Sequence, residues 1–269
     1  MPFTISHAAA VLPFARQLNR QRALSAAVIG SMTPDFNFLL PWQVTRIESH
    51  SLGGLIAFCL PWGLLSYWLF EYIVKPTTRE VLPDTAYLRS AAHAAPDPID
   101  SMRQWAVAVS AVLFGGLTHL AWDGFTHEGA RGVRMIPMLD DSVDIGGHSL
   151  FAFQVAQHLS SIIGLAIVLQ VLWSAMRAQQ APPAPPQREL DRQARRWWMG
   201  AYVGVALACC ALSYGIAHLR NHLHGSLAFI LDNAAIGGLR GLVFSLLGVS
   251  LLLRARLRAG KKYRPAARS

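Results

Sequence analysis

Five long stretches of this chain are almost free of charged residues, and each is long enough to cross a lipid bilayer as a helix. A spanning helix needs roughly 20 mostly apolar residues, because the bilayer core offers no water to the backbone. Only 14% of the residues are charged, whereas soluble domains carry about 25%. We therefore predict an all-α, polytopic membrane helix bundle with a helical N-terminal segment. The predicted spans are residues 53–74, 104–122, 149–176, 197–219 and 227–253.

The spacing of these stretches divides the chain into five parts. The N-terminal segment carries candidate metal ligands, and the membrane core that follows carries the remaining ones. A linker rich in proline and charged residues separates the core from a C-terminal helical hairpin, and a basic tail, expected to be disordered, follows the hairpin. The predicted boundaries are 1–52, 53–176, 177–196, 197–253 and 254–269.

Lysine and arginine are unevenly divided between the two sides of the predicted bundle. With five crossings, sixteen of the 24 basic residues fall in the loops after spans one and three and in the tail. Seven fall in the N-terminal segment and the other two loops. Because cytoplasmic loops are enriched in Lys and Arg, we expect a multi-pass membrane protein with a cytoplasmic tail. The net charge of +9 then reflects orientation and anionic lipid, not nucleic-acid binding, since no basic-aromatic recognition motif is present.

A set of histidines and aspartates collects on the predicted outer face. These residues are His7, Asp35, His50, His119, Asp123, His127 and His158. His119 and Asp123 are four residues apart, so on a helix their side chains can reach one ion, and His127 follows four residues later. Nitrogen and oxygen ligands together suit zinc, iron or manganese better than calcium. For any single residue, an interfacial histidine or a helix-stabilising His–Asp hydrogen bond is the alternative interpretation.

Six of these seven residues lie in distinctive short motifs, namely F-T-I-S-H, G-S-M-T-P-D-F, S-H-S-L-G-G and T-H-L-A-W-D-G-F-T-H. Together the motifs resemble those of a family of uncharacterised bacterial integral-membrane proteins, the domain of unknown function 4184. Members of that family also tend to carry a Q-H-x-S-S-x-x-G stretch, which is found here at residues 157–164. The resemblance covers the chain up to about residue 175, and beyond it only the hydrophobic pattern is shared.

That family is distantly similar to membrane-bound metal-dependent hydrolases, and through them to zinc-dependent phospholipase C and the fungal zinc nucleases. The similarity implies that Asp35, His50, His119 and Asp123 hold one ion, and that His7, with Asp123 as a bridge, holds a second. The third ion of the soluble enzymes, which uses a histidine followed four residues later by a carboxylate, has no matching motif here, because His148 is followed by Ala152 and His158 by Ile162. One or two divalent ions, with zinc the expected metal, are therefore implied.

Three functions are compatible with these patterns. The resemblance implies a hydrolase acting on phosphoesters or lipid headgroups, in which Asp35 or Asp123 orients the attacking water. The first alternative is a metal- or proton-handling membrane protein, for which Asp232 and Arg240 inside span five would line an ion path, although a mutual ion pair also explains them. The second is a non-enzymatic scaffold whose polar residues cap helices.

Overall fold

A computed structural model describes residues 4–39, 44–82, 101–177, 189–224 and 227–262, and these residues are mostly helical. The predicted all-α membrane bundle is confirmed, since helix length and hydropathy make this a multi-pass membrane protein. Five of the described helices can cross a membrane, at Leu52–Val81, Met102–Asp123, Ala152–Ser174, Arg192–Leu219 and Ile236–Ala259. The chain forms two compact units, Met1–Tyr67 with Pro98–Arg177 and Trp68–Asp97 with Ala178–Ser269.

The first unit combines short N-terminal helices with longer apolar ones. Its 3-10 helices are Thr4–Ala10, Leu12–Phe14, Thr33–Phe38 and Pro137–Asp140. Its α-helices are α1 (Ala15–Arg20), α2 (Leu24–Gly30), α3 (Arg46–Ser49), the first part of α4 (Leu52–Val81), α5 (Met102–Asp123), α6 (Arg131–Met135) and α7 (Ala152–Arg177). Two π-helical segments, Leu55–Cys59 and Phe70–Val74, interrupt α4.

Two consecutive side-chain caps start α3 and α4. The Thr45 hydroxyl accepts the backbone N–H of Glu48, and the Glu48 carboxylate accepts that of Thr45 in return, which makes a capping box at the start of α3. The Ser51 hydroxyl accepts the backbone N–H of Gly54 at the start of α4. His50, the residue between the two caps, is therefore held at the junction of the two helices.

Two glycines allow α2 and α5 to pack with their backbones in contact. A Cβ atom on Gly30 would lie 2.3 Å from the carbonyl oxygen of Val112, and one on Gly115 would lie 2.1 Å from that of Ala27. Small residues permit this close approach between helices. As a result Ser31, the residue that follows α2, lies against α5.

The first unit also contains a small β-hairpin that the sequence interpretation did not include. Strand β1 (Ser142–Ile145) pairs antiparallel with β2 (His148–Phe151). The turn residues Gly146 and Gly147 have φ of +61° and +82°, a region that favours glycine. Helix α7 therefore begins at Ala152, whereas the predicted span began at residue 149.

The second unit contains the last part of α4, helix α8 (Arg192–His224) and helix α9 at residues 227–262. A π-helical segment, Ser245–Val249, interrupts α9. Helix α8 begins at Arg192, inside the predicted linker, and α9 continues through Lys262, so the expectation of a disordered tail is wrong up to that residue. Residues 178–188 of the linker, 263–269 of the tail and the side chain of Asp232 lie outside the described residues.

The long helices expose large apolar side chains over much of their surface. Six such residues of α7 are at least 49% exposed, namely Leu159, Ile162, Ile163, Leu169, Leu172 and Trp173. An apolar surface of this extent is expected where side chains face the acyl chains of lipids. The lipid bilayer is accordingly the environment of these helices.

Candidate metal centre

Histidine and aspartate side chains from four segments of the first unit meet at one place. His7 comes from the first 3-10 helix, Asp35 from the 3-10 helix Thr33–Phe38, His50 from the end of α3, and His119 and Asp123 from α5. None of the five side chains is more than 8% exposed. The structure thus brings together five of the seven candidates in the sequence.

Four of these residues have nitrogen–oxygen distances close to those between the ligands of one zinc ion. His50 Nε2 lies 3.5 Å from both Asp35 Oδ1 and Asp123 Oδ2. His119 Nε2 lies 3.7 Å and 3.5 Å from the same two oxygens. Ligand atoms bound at about 2.0–2.1 Å in a tetrahedron are separated from one another by roughly 3.3–3.4 Å. Ligand atoms of Asp35, His50 and His119 also form a group in which all lie within 4.8 Å of one another.

His7 extends the cluster through contacts with His119 and Asp123. Its ring stacks on that of His119 with a centroid distance of 3.7 Å, and its Nε2 lies 3.6 Å from Asp123 Oδ1. Ligand atoms of these three residues form a second group within 4.8 Å. Asp123 therefore presents Oδ2 to His50 and His119 and Oδ1 to His7, which is the arrangement of a carboxylate that can bridge two ions.

Hydrogen bonds from outside the cluster determine which histidine nitrogen faces it. His119 Nδ1 lies 2.7 Å from the carbonyl oxygen of Ser31. Because a carbonyl only accepts, neutral His119 carries its proton on Nδ1 and presents the lone pair of Nε2 to the cluster. His50 Nδ1 lies 2.9 Å from the Ser49 hydroxyl oxygen, which likewise leaves Nε2 facing the cluster. Such outer partners orient the ligands of metal sites.

Asp35 is fixed in the same way. Its Oδ2 accepts a hydrogen bond of 2.7 Å from the Thr4 hydroxyl, and its Oδ1 faces His50 and His119. Burial alone raises the pKa of the Asp35 carboxyl, but His50, His119 and Thr4 together hold that pKa below its ordinary value. The carboxylate is therefore ionised at neutral pH and can act as a ligand.

Several buried polar atoms in the cluster have no hydrogen-bond partner among the described residues. They are both ring nitrogens of His7, Nε2 of His50, Nε2 of His119 and Oδ1 of Asp123. An unsatisfied buried polar group costs about 1–3 kcal/mol of stability. Five such atoms in one cluster therefore indicate that the cluster binds a further partner. Burial, followed by the neighbouring His119, lowers the pKa of His7 to about 3, so its ring is neutral at neutral pH. These residues can hold a metal ion.

The remaining two candidates differ from each other. His127 lies at the edge of the cluster, with Nδ1 3.5 Å from Asp123 Oδ2, and burial lowers the pKa of His127 to about 4. The side-chain amide of Gln157 donates to His127 Nε2 at 2.8 Å. His158, in contrast, is exposed and belongs to neither group of ligand atoms. Successive residues of an α-helix point about 100° apart, so α7 turns Gln157 and not His158 towards the cluster.

Arg46 is a residue of the cluster that the sequence interpretation did not include. Its Nη2 lies 2.5 Å from Asp123 Oδ2, and its side chain is 37% exposed. Arg46 precedes His50 by four residues, the same spacing as in the recognised pair His119 and Asp123, and this spacing was the available signal. Thr4 belongs to the F-T-I-S-H motif, but nothing in that motif shows that its hydroxyl reaches Asp35.

The fold and the cluster define a class: a multi-pass helical membrane protein with buried histidines and aspartates able to hold a metal ion. The chain belongs to the family described as Domain of unknown function (DUF4184), whose model matches residues 1–251. The match confirms the family that the motifs predict and extends past the region where they occur. No curated protein and no solved structure matches the chain.

Proposed function

We propose that this protein is a membrane-bound, metal-dependent hydrolase of phosphoesters, including the phosphate headgroups of lipids. The observation that supports this most directly is the set of four His–Asp separations of 3.5–3.7 Å. The distant similarity of the family to metal-dependent hydrolases and zinc-dependent phospholipase C supports the same class of reaction. Zinc is the proposed metal, because nitrogen and oxygen donors in near-tetrahedral arrangement suit it.

The proposed first ion is held by Asp35, His50, His119 and Asp123. His119 can serve only one ion, because its Nδ1 is engaged by the backbone carbonyl that follows α2. A second ion would rely on His7 and on the Oδ1 atom of Asp123, which are 3.6 Å apart. One or two ions per chain are therefore proposed.

A divalent metal supplies a bound water of lowered pKa and positive charge for the phosphate oxygens. Asp35 and Asp123 are the proposed catalytic carboxylates. With one ion bound, Asp123 Oδ1 is the buried acceptor that can take a hydrogen bond from the attacking water and so orient it. Asp35, whose Oδ2 is held by Thr4, supplies a fixed negative charge and a ligand oxygen.

The site is proposed to face the outside of the bacterial inner membrane, with the basic tail in the cytoplasm. The excess of Lys and Arg in the alternate loops supports this orientation. Asp123 is the last residue of α5, so it lies where that helix leaves the predicted span.

Turnover by the purified protein tests the proposal. In detergent with zinc or manganese, the wild type is expected to hydrolyse phospholipids or a generic phosphodiester, and Asp123→Ala to lose roughly 100-fold or more in rate. The matched control is Asp140→Ala, which removes an exposed carboxylate outside the cluster and should retain full activity. Absence of metal-dependent turnover on every phosphoester would contradict the proposal.

A metal- or proton-handling role is the second candidate, and the contact of buried Glu71 with partly exposed Lys75 inside α4 is the observation that favours it. In liposomes, metal uptake by the reconstituted protein without phosphoester cleavage would support this role. Cleavage without uptake would support the hydrolase. Purified protein without bound metal would favour a scaffold.

A further inference from the structure

Arg46 contributes a positive charge to a cluster whose other members are histidines and aspartates. Its Nη2 contacts Asp123 Oδ2 at 2.5 Å, and the two side chains are 37% and 6% exposed. Arg46 therefore lies where the cluster meets its surroundings, while the carboxylate that it contacts is buried. The backbone N–H of His50 donates to the Arg46 carbonyl at 2.8 Å, so the backbones of the arginine and of a ligand histidine are held together.

The charge of the metal-loaded cluster does not balance without a further anion. Asp35 and Asp123 contribute two negative charges, which one divalent ion neutralises. The guanidinium remains charged at any physiological pH, so Arg46 then leaves one positive charge unmatched, and a second ion would leave three. A site of this charge attracts an anion.

The chemistry of arginine indicates which class of anion the site would bind. A guanidinium carries five N–H donors in a planar fork, and the contact with Asp123 is made from Nη2. The fork fits two oxygens of a phosphate and binds them with charge-assisted hydrogen bonds. Glu48 lies on the same short helix as Arg46, and its carboxylate is hydrogen-bonded to Thr45 in the capping box.

We propose that Arg46 is the substrate-binding residue that makes this site selective for phosphate esters, by donating to their non-bridging oxygens while it contacts Asp123. The proposal rests on the proposed function and specifies its substrate class. The same phosphate chemistry is offered by a soluble phosphomonoester and by a lipid headgroup, so the test includes both.

The test compares the wild type with Arg46→Ala, Arg46→Lys and Arg134→Ala, the last being an exposed arginine of α6 that controls for charge. The readouts are metal content per chain, affinity for inorganic phosphate, and binding to phosphatidylcholine vesicles with and without phosphatidic acid. With metal content unchanged, Arg46→Ala should bind phosphate roughly 10- to 100-fold more weakly. Arg46→Lys should be intermediate, because it keeps the charge but not the fork, and Arg134→Ala should match the wild type.

Equal weakening towards inorganic phosphate and phosphatidic acid vesicles supports a general phosphate site, and weakening towards the vesicles alone supports a lipid phosphate. Unchanged affinity for both inorganic phosphate and phosphatidic acid vesicles in metal-loaded Arg46→Ala would overturn this inference and leave the proposed hydrolase intact. Loss of metal from Arg46→Ala would also overturn it, because the arginine would then only position Asp123. A wild-type protein that binds no metal would overturn the proposed function itself.

Discussion

The two units of the molecule bury polar groups in different ways. Two contacts of the second unit are close hydrogen bonds between polar side chains: Lys75 Nζ lies 2.6 Å from Glu71 Oε2, and the Tyr202 hydroxyl lies 2.7 Å from that of Ser250. In the first unit the cluster around His119 instead leaves nitrogen and oxygen atoms facing one another at 3.5–3.7 Å without hydrogen bonds.

The comparison distinguishes polar groups that stabilise the fold by bonding to each other from polar groups whose arrangement suits ligand binding. Buried polar groups of native proteins are normally hydrogen-bonded, and the two contacts through Glu71 Oε2 and the Tyr202 hydroxyl follow that rule. In the cluster the outward atoms of His119, His50 and Asp35 are bonded to Ser31, Ser49 and Thr4, whereas the atoms that converge, and both ring nitrogens of His7, lack partners among the described residues. Ordered outer partners with unsatisfied inner atoms are what a metal site requires.

The largest expected effect concerns the Glu71–Lys75 contact of the second unit. Glu71→Ala leaves the Lys75 ammonium without its carboxylate and should destabilise the protein by roughly 3–5 kcal/mol, measured by denaturant unfolding in detergent. Replacing both residues by leucine should cost far less, since an apolar pair needs no partner. Metal content should stay at the wild-type value in both variants. If Glu71→Ala destabilised the protein no more than Asp140→Ala does, the pair would contribute no stability.

A smaller effect is expected where α2 meets α5. Gly115→Ala places a Cβ against the Ala27 carbonyl oxygen and should destabilise the protein by roughly 1–3 kcal/mol. It should also weaken metal binding, because a shift of α2 moves Ser31 away from His119. Gly200→Ala is the matched control: nothing lies within 4 Å of the added atom, and stability should rise by up to about 1 kcal/mol. Equal stability of the two variants would contradict the close packing.

The smallest expected effect concerns an outer partner of the cluster. Thr4→Val keeps the shape of the side chain but removes the 2.7 Å hydrogen bond to Asp35 Oδ2. Metal affinity, measured by titration with a competing chelator, should fall roughly tenfold. Thr78→Val, which removes a hydroxyl bonded to the Val74 carbonyl in the second unit, should leave metal affinity unchanged. The same affinity in both variants would show that Thr4 does not orient a ligand.

Much of this organisation could be predicted from the sequence, because apolar length identifies spans and an i, i+4 spacing identifies side chains on one helix face. The cluster members in separate segments were predicted through motifs, and the structure brings five of them together. The face that α7 turns towards the cluster was not predicted correctly, because whether Gln157 or His158 faces the cluster depends on how α7 packs. Arg46 was missed because its spacing from His50 does not show that its guanidinium reaches Asp123, 77 residues further along the chain; only the distance of 2.5 Å shows it.

The most direct test of the metal centre is the metal content per chain of the purified wild type and of His119→Ala, measured by elemental mass spectrometry. His119 is a ligand of the proposed first ion, with Nε2 facing Asp35 and Asp123, so its removal should release that ion. One or two equivalents of zinc in the wild type, with loss of at least one in the variant, is the predicted result. A wild type without metal, or a variant with the same metal content, would contradict a metal site at this cluster.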